Sequence, residues 1–169
     1  MGMSKGNLCK ALGRFAQEEP AVIAQRIAGS WTCDDLSMED ILNPTNEGID
    51  DMNRPFPFCL ASPLQEDTDG LGKLEDWQVE WKWDGIRSQL LTTGGGSGML
   101  WSRGEESIEE SFPEILECIP YLPSNLCMDG EILAWGREGL RSFSRLQKRL
   151  GRKNPSPAIQ RKEPVRFQA

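Results

Sequence analysis

The sequence predicts an α+β fold, a short helical segment followed by an antiparallel sheet, and three observations carry that prediction. Apolar residues between Pro20 and Ala28 recur at helical spacing. A polar stretch rich in turn formers follows, with Asn43-Pro44, Asn46, Gly48, Asp50, Asp51 and Asn53. From Trp77 onward the apolar period drops to two, and glycine-rich connections separate the periodic runs. The chain accordingly divides into a helical piece over 1–44, a linker over 45–53 and a sheet-containing part over 54–169.

Each element has its own signal. Pro20 suits a first helical turn, Val22, Ile23 and Ile27 form the apolar stripe, and Gly29 is a stop. In Val79-Glu80-Trp81-Lys82-Trp83-Asp84 the odd positions are apolar and the even ones charged. As a strand, this segment carries Glu80 and Lys82 on one face and packs Trp81 and Trp83 into the core on the other. Gly85 turns the chain, Ile86 to Thr92 reads as a second strand, and Met99 to Arg103 reads as a third across the tip Gly94-Gly95-Gly96-Ser97-Gly98, the whole forming a meander. That glycine run precedes a strand and lacks a Gly-Lys-Ser/Thr ending, so it is a hairpin tip and not a phosphate cradle. Pro113 to Cys118 fits a short helix, Leu126 to Trp135 a strand, and Gly136-Arg137-Glu138-Gly139 a turn. Ser142 or Ser144 caps a basic helix through Leu150 that ends at Gly151, and Val165 to Ala169 starts another strand.

Composition narrows the function classes. No apolar run approaches the roughly 20 residues of a membrane helix, and the N-terminus carries no secretory stretch, so a cytoplasmic protein with no membrane partner is expected. The five cysteines, Cys9, Cys33, Cys59, Cys118 and Cys127, are widely spaced, and histidine is absent. That combination argues against structural zinc and histidine general-base chemistry and leaves the thiols as small buried hydrophobes. The net charge of −7 argues against a freestanding nucleic-acid clamp. From Arg141 onward, however, nine bases face one acid, Glu163, giving +8 and leaving −15 for residues 1–140. Such a segment is either a solvated face or a local phosphate-binding surface.

A lysine two residues after an acid is, taken alone, ordinary surface alternation. Three stretches in order make a stronger case: Lys82-Trp83-Asp84-Gly85-Ile86-Arg87, Ser102-Arg103-Gly104-Glu105 and Asp129-Gly130-Glu131. The first resembles the KxDGxR signature of the covalent nucleotidyltransferase superfamily of DNA ligases, RNA ligases and mRNA capping enzymes, and the other two resemble its following motifs. Arg54 to Leu64 resembles the RPYPFFLAxPL entry to the catalytic domain of bacterial ATP-dependent DNA ligases, and Phe143 to Arg152 resembles their FxxLQxRLGRK segment. Pro20 to Trp31 is similar to the end of the helical DNA-binding domain that precedes it in that family.

The resemblance implies an incomplete antiparallel-sheet nucleotidyltransferase fold, of the ATP-grasp-like ligase adenylation type. It implies that Lys82 attacks the α-phosphate of ATP, releases pyrophosphate and holds AMP. Glu80 would then lie beside adenine, Arg87 and Arg103 would contact ribose and phosphates, and Glu131 would contact the ribose and Mg²⁺. Nearby cations favour the neutral amine a nucleophile needs and offset charge on the phosphates. The implied partner is nicked double-stranded DNA, sealed by a monomeric full-length protein during replication, repair or recombination.

Family members continue with an adenine-stacking aromatic just after a strand like Val165 to Ala169, then further motifs and an oligonucleotide-binding barrel. The expectation is therefore a piece truncated at both ends and inactive alone. The alternatives are an RNA ligase or capping-type enzyme, or a non-catalytic DNA-binding fragment.

Overall fold

The computed structural model describes residues 2–29, 32, 34, 37–42, 54–59, 61–65 and 67–169. The expected linker and the boundary near Asn53 lie outside the described residues, as does Cys33.

Three helices make up the first part: α1 (Lys5–Ala16), α2 (Pro20–Arg26) and α3 (Met38–Leu42). Helix α2 follows the sequence signals, with Pro20 in its first turn and Gly29 at a positive φ of 80° just beyond it. Helix α1 has no strong local signal, because Gly6, Asn7 and Gly13 are poor helix formers. It forms because Ser4 Oγ accepts the Asn7 N–H at its start and because Cys9, Leu12 and Ala16 pack against Ile23, Ile27 and Ile41. Gly13 permits the tight α1–α2 corner, since a β-carbon there would stand 2.7 Å from the Glu18 carbonyl. The buried Arg26 ties this unit together, donating to the Ile41 carbonyl at 3.0 Å and to Glu18 at 3.2 Å.

Five strands build one antiparallel sheet: β1 (Ile86–Thr92), β2 (Gly98–Ser102), β3 (Cys127–Gly136), β4 (Gly139–Leu140) and β5 (Val165–Gln168). Strand β1 lies between β2 and β3, and β3 also pairs with β4 and β5. Period-two geometry sorts the side chains between two faces. Leu90, Leu100, Ile132 and Ala134 meet Phe112, Ile115, Ile119 and Leu146 in the core. Full burial of each large apolar side chain contributes roughly 1.5–3 kcal/mol. Helices α4 (Pro113–Leu116) and α5 (Phe143–Gln147) cover this face. The opposite face carries Arg87, Gln89, Asp129 and Glu131. There the Gln89 carbonyl Oε1 accepts the Phe56 N–H at 2.8 Å, holding the 54–59 segment against β1.

Several expectations need correction. Residues 77–84 form no strand, and β1 starts only at Ile86. Alternating polarity does not satisfy backbone N–H and C=O groups without a partner strand, and both edges of β1 are already taken by β2 and β3. Trp81 and Trp83 are consequently not core residues. Trp81 is 82% exposed and its neighbour Val79 80%, while Trp83 is half-buried. The expected three-strand meander loses its first strand with 79–84; the β1–β2 hairpin stands, and the other edge of β1 is taken by β3.

Helix α5 stops at Gln147, short of Leu150, although Gly151 does adopt a positive φ of 72°. The Ser142 hydroxyl pairs with Ser144 Oγ at 2.9 Å and makes no helix-capping bond. Helix α6 (Pro157–Lys162) is a further element the periodicity did not predict: Ser156 and Pro157 give it a start signal, but its six residues carry no apolar stripe. Of the cysteines, Cys9 is buried as expected, but Cys59, Cys118 and Cys127 are exposed.

No helix among the described residues is long and apolar enough to cross a membrane.

Candidate active site

The motif residues come from four separate places in the chain. Arg87 and Glu131 are direct cross-strand partners on β1 and β3, and Gln168 of β5 pairs with Glu131 from the other side. Arg103 sits in the turn that ends β2, where its N–H donates to the Arg87 carbonyl at 2.9 Å. Glu80 and Lys82 reach the same region on the extended segment before β1. All five line one open cleft of about 830 Å³, together with Cys59, Ala61, Trp81, Trp83, Asp129, Gly130, Gln168 and Ala169.

Two glycines allow these elements to close up. A β-carbon on Gly85 would lie 2.3 Å from the Ile132 carbonyl and 2.7 Å from Glu131 Cγ. Without one, the Gly85 N–H donates to Glu131 Oε1 at 3.1 Å, so the Asp-Gly turn after Lys82 is pinned to the Asp-Gly-Glu strand. Gly130 serves β5 in the same way, since a β-carbon there would stand 2.4 Å from the Gln168 carbonyl.

Charge is distributed unevenly over the cleft. Lys82, Arg87 and Arg103 are exposed cations, and Arg87 Nε lies 2.7 Å from Asp129 Oδ1. Burial pushes the Glu131 carboxyl above its ordinary range, and the Asp84 charge acts in the same sense. The Gly85 hydrogen bond, Arg87 and Arg103 pull the other way.

Asp129 is a cleft residue to which the sequence assigned no role. Its signal was available: in a strand, Asp129 and Glu131 must share a face. Gln168 and Ala169 had no such signal, because only the β3–β5 pairing places them here. The tryptophans that leave the core form an aromatic run along the rim. Trp81 and Trp83 ring centroids are 6.2 Å apart, Trp83 meets Trp135 edge-on at 6.5 Å, and the Arg166 guanidinium lies 4.4 Å over the Trp135 ring.

The cleft presents three cations, Lys82, Arg87 and Arg103, that can meet phosphate charge, and three carboxylates, Glu80, Asp129 and Glu131. Among the described residues, no three acidic or cysteine side chains gather as a metal cage. The carboxylates present fit a magnesium ion held by one carboxylate and by substrate phosphates, which is how that ion is commonly bound.

Residues 58–169 match the family described as the ATP dependent DNA ligase domain. A probable DNA ligase of Koribacter versatilis is 40% identical over 113 residues, covering 67% of this chain and 19% of that protein. A probable DNA ligase of Opitutus terrae is 45% identical over 75 residues, covering 44% of this chain and 7% of that protein. DNA ligase 2 of Methanosarcina mazei is 32% identical over 107 residues, covering 61% and 18% respectively. The chain thus spans a fifth or less of the length of these relatives.

Proposed function

Because this chain belongs to the ATP dependent DNA ligase domain family, we propose that it supplies the adenylation half-site of an enzyme that seals nicks in duplex DNA, with Lys82 as the nucleophile. The observation that carries this reading is the convergence of Lys82, Arg87, Arg103 and Glu131 on one cleft from segments spread across 50 residues of sequence. ATP is the substrate. The Lys82 amine forms a bond to the α-phosphorus as the bond to pyrophosphate breaks, and the amine proton passes to solvent. The AMP group is then transferred to a 5′-phosphate at the nick, and AMP leaves when the 3′-hydroxyl attacks that phosphate.

Each neighbour has a part in this scheme. Arg87 and Arg103 neutralise phosphate charge and hold the α-phosphate within reach of the amine, an electrostatic and positioning contribution. Glu80 faces the adenine. Glu131 binds the ribose and is the carboxylate that would hold Mg²⁺, which supplies further neutralisation of phosphate charge when bound. Residues 1–44 are read as the end of a DNA-binding region, and 54–169 as part of the adenylation domain. The complete protein acts as a monomer in the cytoplasm, in replication, repair or recombination.

The test joins this chain, after Ala169, to the remaining length of a relative and supplies ATP labelled at the α-phosphate with Mg²⁺. A label on Lys82 that survives alkali and is released by acid, as a phosphoramidate is, is expected, and none on Lys82→Arg, because a guanidinium stays protonated. Equal labelling of the two proteins would exclude Lys82 as the nucleophile.

A further inference from the structure

The basic C-terminal run is divided between two roles that its sequence does not separate. Arg149 is internal: it is fully buried, forms a two-point ion pair with Glu114 at 2.8 and 2.9 Å, and donates to the Ser111 and Glu163 carbonyls at 2.7 and 2.9 Å. A different subset converges on the surface around two consecutive residues, Lys162 and Glu163. Arg141 Nη1 donates to the Lys162 carbonyl at 3.1 Å. Arg145 Nη1 and Lys148 Nζ approach the same Glu163 oxygen at 2.9 and 3.8 Å.

The carboxylate lies underneath and the cations lie on top. Glu163 is only 5% exposed, whereas the Arg145 and Lys148 side chains are 42% and 55% exposed, and Arg141 and Lys162 are exposed as well. Two cations therefore share one buried negative charge, Arg141 is held beside them through the Lys162 carbonyl, and the surface presented to solvent is positive. A buried carboxylate that orients two cations side by side also lowers the entropy those long side chains give up when they meet a ligand. Within a chain that carries −15 over residues 1–140, this is a localised positive site, suited to a regularly charged polyanion.

We propose that Arg145 and Lys148, oriented by Glu163, together with the neighbouring Arg141 and Lys162, contact the phosphate backbone of duplex DNA. The choice of duplex DNA among polyanions rests on the ligase reading above; the charge geometry does not. The contact is sequence-independent, because it engages phosphates and no base edges.

Fluorescence anisotropy of this chain with a labelled, singly nicked 20-base-pair duplex over a salt series tests the proposal. The pair Arg145→Ala, Lys148→Ala is expected to bind roughly tenfold more weakly, with a salt slope shallower by about one for each phosphate that is no longer neutralised. The charge-conserving pair Arg145→Lys, Lys148→Arg should restore both affinity and slope, which separates the effect of charge from misfolding. Lys73→Ala, an exposed base elsewhere, should change neither. An unchanged slope in the double alanine variant overturns the proposal, as does equal or tighter capture by anionic phospholipid vesicles or polyglutamate. Adenylation is read by the α-phosphate label in the joined protein and duplex binding by anisotropy of this chain, so failure of adenylation and failure of this surface are read independently.

Discussion

Arg87 and Glu131 stand opposite each other on adjacent antiparallel strands, 44 positions apart in sequence and on the same sheet face. Register alone enforces this, so a cation and a carboxylate reach one cleft without a loop having to place them. Arg87 Nε also lies 2.7 Å from Asp129 Oδ1, so the cation pairs with one acid of the Asp-Gly-Glu motif and stands across the register from the other. Arg87→Ala should leave Asp129 without its ion-pair partner and weaken nucleotide binding. The expected loss is about tenfold or more in affinity for ATP, measured by calorimetry, because hydrogen bonds to charged groups contribute about 1.5–3 kcal/mol. Unchanged affinity would remove Arg87 from the binding set.

Glu131 predicts a pH dependence whose sign follows from its cause. Burial raises its folded pKa above the ordinary 4.5, so the folded state binds the proton more tightly than the unfolded chain does. Its contribution to stability is therefore full below pH 4.5 and declines as pH rises through the folded value. Glu131→Gln keeps an oxygen to accept the Gly85 N–H but has no carboxylate to desolvate. Thermal melts should show the variant gaining on the parent as pH rises above 4.5. A gap that narrows over that range would contradict the assignment.

Gly85 is required for space and not for an unusual φ. Gly85→Ala drives a methyl group into the Ile132 carbonyl and the Glu131 side chain, and overpacking of this kind costs about 1–3 kcal/mol. Urea denaturation should show that loss, and labelling of Lys82 in the joined protein should fall with it. An alanine variant of parental stability would mean that the two strands separate more easily than their packing indicates.

Arg149 should be the most sensitive position in the basic run. Arg149→Met retains volume but leaves Glu114 without its partner and two backbone carbonyls unsatisfied. Removing one member of a buried pair costs roughly 3–5 kcal/mol, which a denaturant midpoint will register. The exposed Lys153→Met, whose Glu110 partner is also exposed, should fall within about 0.5 kcal/mol of the parent.

The tryptophans separate in the same way. Trp101 is buried and packs over Gly29, so Trp101→Ala should cost about 3–5 kcal/mol. Trp81→Ala should stay within about 0.5 kcal/mol in this chain, since Trp81 stands in solvent. A large loss at Trp81 would restore the buried-strand reading of residues 79–84.

The sequence by itself determined the element types wherever a local signal was strong. Pro20 and Gly29 bracketed α2, the glycine tip set the β1–β2 hairpin, and Ile86 to Thr92 fell within the sheet as expected. Glu80, Lys82, Arg87, Arg103 and Glu131 became candidates through the resemblance of three motifs, in order, to those of covalent nucleotidyltransferases. Tertiary structure decided the rest, because those outcomes depend on partners remote in the chain. Residues 79–84 alternate in polarity like a strand, yet no neighbour among the described residues completes their hydrogen bonds as a strand. Arg149 and Arg145 read alike in a basic run, but one is buried over the Phe112 ring and donates to the Glu163 carbonyl while the other reaches solvent. Asp129, Gln168 and Ala169 join the cleft only because β3 pairs with β1 on one edge and with β5 on the other. Periodicity records which face a side chain takes, and only strand pairing and packing fix what that face meets.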